Sequence, residues 1–117
     1  MITTFLSAAL LAASAQAATP DLSQQSRALL RCSAAFALVS HGQQAGNEAA
    51  LKWPQLETRG REFFVRTMAA LMDAHDLSRS EVGKLAFDET MRLMAEPRES
   101  REEMIPACLL LLDASGV

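Results

Sequence analysis

The sequence predicts an all-α fold: a small irregular bundle of four to five helices, preceded by a cleaved signal peptide and stapled by one disulfide. Three observations carry this expectation. The apolar half of the chain is mostly Ala, Leu and Met, which favour helix, while β-branched residues are scarce and Tyr is absent. Apolar residues recur at spacings of three and four along successive stretches. Those stretches are separated by capping residues, Gly and Pro, of which there are only 5 and 4.

The N-terminus reads as an export signal. Phe5 to Ala13 is an apolar run, followed by Ser14 and the small-x-small pattern Ala15-Gln16-Ala17. We therefore expect a signal peptide over residues 1–17, a single helical domain over 18–117, and a periplasmic or secreted protein. No Lys or Arg precedes Arg27, so the positive start of such a signal is missing, and the start codon is an open question. The residue directly after the cleavage site is Ala18 and not Cys, and no stable membrane anchor is expected. In an oxidising compartment the two cysteines, Cys32 and Cys108, read as one disulfide. Closing so long a loop stabilises by about 4 to 4.5 kcal/mol on chain-entropy grounds.

Thr19-Pro20-Asp21 reads as a helix start. Leu22, Leu29, Cys32, Phe36 and Val39 then form a stripe to about Ser40, with Gly42 as the expected stop. Asn47 is positioned to cap a short turn carrying Ala50, Leu51 and Trp53. The longest helix is expected over Pro54–Ala74, with Leu56, Phe63, Met68, Leu71 and His75 on one side and Phe64 and Met72 flanking. Glu57 with Arg61 and Glu62 with Arg66 are i,i+4 pairs in the favourable order. Gly60 marks close packing against a neighbour.

Ser78-Arg79-Ser80-Glu81 is a capping box opening a helix to about Ala95. Its expected inward residues are Val82, Leu85, Ala86, Met91 and Met94, with Asp88 and Arg92 paired outside. Pro97 stops it. Ser100-Arg101-Glu102-Glu103 reads as a second box opening the last helix, with Pro106 one turn inside. The run Met104–Leu112 carries no charge, so a helix there has no polar face to turn to water. The expectation is that it is enclosed and serves as the hub of the fold. It is too short to span a bilayer.

The function classes narrow by exclusion. A net charge of −3 lacks the basic footprint of nucleic-acid binding. His41 and His75 match no zinc or haem spacing and sit at expected helix ends, where their charge is favourable. Met68 with Met72 and Met91 with Met94 have helical spacing and thioether softness, but Met on a core stripe is ordinary packing. We therefore expect no metal and no cofactor. Asp73-Ala74-His75-Asp76 crowds a base with acids, yet no nucleophile accompanies it, and no catalytic residue is assigned. Arg59, Arg61 and Arg66 are interleaved with Glu57 and Glu62 and read as a solvated face. Trp53 is either an interface residue or the cap of the bundle.

An exported, all-helical domain of this size with one disulfide is similar in plan to the small periplasmic acid-stress chaperones. The likeness is architectural, and no residue carries over from it. It implies loosening in acid, where protonation neutralises the 14 carboxylates and leaves the 11 basic residues to repel one another. The leading expectation is a non-catalytic protein that binds another protein or itself through an apolar helix face. Trp53, Met68, Met72, Met91 and Met94 are its candidate residues. The alternative is a carrier enclosing a lipid or other apolar ligand in the bundle core. An acid-stress chaperone or an enzyme comes third.

Overall fold

Among the described residues five helices form the fold, in the order α1 Gln24–Gln44, α2 Glu48–Leu51, α3 Glu57–His75, α4 Arg79–Ala95 and α5 Arg98–Ala114. The computed structural model describes residues 21–117, and no strand occurs among them. The signal peptide expected over 1–17, its cleavage site and the Thr19-Pro20 helix start lie outside the described residues. Within them, Ser23 caps α1 by accepting from the Ser26 N–H at 3.1 Å.

Helix α1 packs against every other helix. The return helix α3 is antiparallel to it: Phe63 meets Phe36 edge-on, with centroids 5.3 Å apart, and His75 reaches Ser26. Gly60 fulfils its expected role there, since a Cβ on it would lie 3.2 Å from the Phe36 Cβ. Asp76 ends α3 in the left-handed conformation, which Asp tolerates better than most residues. The capping box of Ser78 and Glu81 then opens α4, with both reciprocal bonds present. Helix α5 lies across α1 and the start of α3. It is tied by the Cys32–Cys108 disulfide, by Lys52 to Glu102 at 3.1 Å and by Arg59 to Asp113 at 2.9 Å.

The core has three patches. Leu30 packs with Met68, Leu71, Val82 and Leu85; Phe36 with Leu56, Phe63 and Leu112 beside the disulfide; and Ala34 and Ala35 with Leu93 and Ile105.

Six sequence expectations need correction. Gly42 does not stop α1, which continues to Gln44 and turns at Gly46, a glycine with positive φ. Gly42 instead allows close approach, because a Cβ there would lie 2.9 Å from that of Ala50. The extra turn places Gln43 inside the bundle. Its amide donates to the carbonyls of Ala50, Trp53 and Pro54 and accepts from the Leu56 N–H. It thereby satisfies backbone groups of a link that makes few bonds of its own. That link extends past Pro54, so α3 begins at Glu57.

The Met104–Leu112 run is not enclosed. Ile105, Cys108 and Leu112 are buried, while Leu110 and Leu111 face solvent. Only one side of α5 meets other helices, and no further element among the described residues covers its back. Ser100 does not cap α5: the helix starts at Arg98 behind Pro97, whose fixed φ suits the entry. Pro106 therefore sits about two turns inside, not one. Finally, Asp88 pairs with Lys84 at 3.1 Å and Arg92 with Glu89 at 2.9 Å, not with each other.

Candidate interaction face and neighbouring cleft

The inward face of α4 is Val82, Leu85, Ala86, Glu89 and Leu93. Its outward face carries Phe87, Met91 and Met94, which are 64%, 50% and 55% exposed. Their i, i+4, i+7 spacing puts them on one stripe about 10 Å long. This overturns the expectation that Met91 and Met94 point inward. The residue on the inward phase between Ala86 and Leu93 is Glu89, which a hydropathy pattern assigns to solvent. Arg31 of α1 makes its burial tolerable, bonding Glu89 at 3.2 Å and both Glu96 carboxylate oxygens at 2.8 Å. Burial opposes the Arg31 charge, but its bonds to Glu96 and Glu89 prevail and hold its pKa above the ordinary value. With α4 fixed in this phase, both methionines turn outward.

The other expected interaction residues lie elsewhere. Met68 is buried and Met72 half-buried, both in the patch around Leu71. Phe87, absent from the sequence expectation, belongs with Met91 and Met94. Its i−4 relation to Met91 was the available signal, outweighed by the inward assignment of the methionines.

Trp53 is half-buried and packs beside Leu38, Met104 and Ile105, with the Lys52 ammonium 5.0 Å from its ring centroid. It lines a half-open cleft of about 180 Å³ between α1, α2 and the start of α5. Arg98, Arg101 and Glu102 form the polar rim, and the Arg101 Nε is enclosed without a hydrogen-bond partner. Glu102 bridges Lys52 at 3.1 Å and Arg98 at 3.3 Å. The Lys52 bond is the main cause holding its carboxyl below the usual range, partly opposed by desolvation.

His41 is exposed in the last turn of α1, and His75 closes α3 with Nε2 3.3 Å from the Ser26 Oγ. Arg59 joins α5, whereas Arg61 and Arg66 lie beside Glu57 and Glu62 on α3. Among the described residues no three His, Cys, Asp or Glu side chains gather as a metal-ion set, and no helix is long and apolar enough to cross a membrane. No protein family, no curated protein and no solved structure matches the chain.

Proposed function

We propose that this chain is an exported, non-catalytic helical protein that binds another protein or itself through the outer face of α4. The observation that carries the reading is the exposed Phe87, Met91 and Met94 stripe. Large apolar side chains gathered on one open face stabilise most when a partner removes them from water. Aromatic and Met side chains are enriched in the centres of interfaces. Two features support export: the apolar run ending at Ala15-Gln16-Ala17, and a disulfide, which persists in oxidising compartments.

Site-specific photocrosslinking tests the binding face. A photoreactive phenylalanine analogue at position 87 or 91 is expected to give adducts of protein mass, identified by sequencing the adduct peptides. The same analogue at the exposed Glu99 should give none. Equal yields at all three positions overturn the reading. Export is tested separately by intact mass, which is expected to correspond to a chain beginning at Ala18.

The carrier reading has one supporting observation, the cleft beside Trp53 with its unbonded Arg101 Nε. Native mass spectrometry checks it, since a carried ligand would appear as extra mass that leaves on denaturation.

A further inference from the structure

We infer that the partner of the α4 face is a second copy of this chain, packed antiparallel along α4 about a two-fold axis near Thr90. The inference rests on the binding reading above and adds the identity of the occupant. It comes from the self-complementarity of the stripe and its charged flank.

Asp88 and Arg92 lie on the same flank of the Phe87, Met91 and Met94 stripe, one turn apart. A two-fold perpendicular to α4 brings that flank against its own copy with the chain direction reversed. Asp88 then faces Arg92 of the second copy, and Arg92 faces its Asp88, giving two opposite-charge pairs. The same operation sets Phe87 opposite the second copy's Met94 and brings the two Met91 side chains together at the axis. Sulfur-to-ring contact is favourable in that arrangement. A parallel pairing would instead turn the two Asp88–Arg92 flanks to opposite sides of the interface, so that neither opposite-charge pair could form.

Both charges are free to take part. The Lys84–Asp88 pair is solvent-exposed, so exchanging it for an intermolecular pair costs little. Arg92 uses one terminal nitrogen, Nη1, on Glu89 and has its remaining N–H donors for a second carboxylate. Three large apolar side chains per copy make a small interface, so association in the micromolar range is expected.

Sedimentation equilibrium of the purified, disulfide-bonded protein is the test. The native protein is expected to show a monomer–dimer equilibrium, and Met91→Lys to weaken it by about tenfold or more. Leu110→Lys, on the outer side of α5, should leave it unchanged. Asp88→Arg and Arg92→Asp should each self-associate about tenfold more weakly. An equimolar mixture of those two variants should recover association, because each copy then offers the charges that the other lacks. Circular dichroism of each variant confirms that the helices remain. A native protein that stays monomeric while the position 87 crosslinker still captures a different protein overturns the second copy and leaves the binding face standing. A dimer that survives Met91→Lys, dissolves with Leu110→Lys, or shows no recovery in the mixture also overturns the proposal.

Discussion

Helices α1 and α5 each contribute one half of the disulfide, yet they are buried in opposite ways. The uncharged run of α5 puts Ile105, Cys108 and Leu112 into the core and leaves Leu110 71% exposed. Helix α1 is more mixed in composition, but buries the unbroken sequence Cys32, Ser33, Ala34, Ala35 and Phe36. Small side chains account for the difference. Ala34 and Ala35 let neighbours approach from several sides, and Gly60 brings α3 close to Phe36. Burial follows from how many elements can reach a helix, and the large side chains of α5 set a wider spacing without supplying a second neighbour.

Removing the link between the two helices should have the largest effect. The double variant Cys32→Ala, Cys108→Ala is expected to lose about 4 to 4.5 kcal/mol in denaturant unfolding. Hydrogen exchange should show the loss concentrated in α5, which has the fewer neighbours; protection lost equally in α1 would contradict the comparison. Overfilling the crowded helix comes next. Ala34→Leu should destabilise by about 1–3 kcal/mol, because no space exists for the added atoms.

The capping box of α4 lies outside both helices and gives a smaller, pH-dependent effect. Ser78→Ala is expected to cost about 1 kcal/mol near neutral pH. The backbone N–H and then the hydroxyl of Ser78 hold the Glu81 carboxyl below its ordinary value of 4.5. A lowered carboxylate pKa contributes stability above that ordinary value and loses it as pH falls through the lower, folded one. Comparing the unfolding of Glu81→Gln with that of the native protein should therefore show a deficit at neutral pH that closes in acid below that window. The smallest effect belongs to the outer side of α5, where Leu110→Gln should change stability by no more than about 0.5 kcal/mol. A larger loss would mean that this side is covered after all.

The fold class, the short turn capped by Asn47, the Ser78 box and the close approach at Gly60 were legible in the sequence, because each depends on local chemistry. The disulfide was legible from the cysteine count. The central role of α1 was not, since small residues advertise nothing about how many neighbours they admit. Gln43 and Glu89 escaped for a related reason: a polar residue is buried when a distant segment satisfies it, and their partners lie in the link to α3 and at Arg31. Met91 and Met94 turn outward because Glu89 takes the inward phase of α4 between Ala86 and Leu93. Once one inward position looks polar, the apolar residues beyond it are assigned to the wrong side.

The two cysteines lie 76 residues apart, one on α1 and one on α5. In synthesis order, Cys32 emerges with α1 and must remain an unpaired thiol while α2, α3 and α4 are made. Its partner arrives only after those helices, on α5. The bond therefore cannot form before α5 is made, which leaves α1, α3 and α4 free to pack ahead of it. Until then Cys32 has no other cysteine in its own chain with which to mispair, so oxidation during synthesis can divert it only toward a thiol of another molecule.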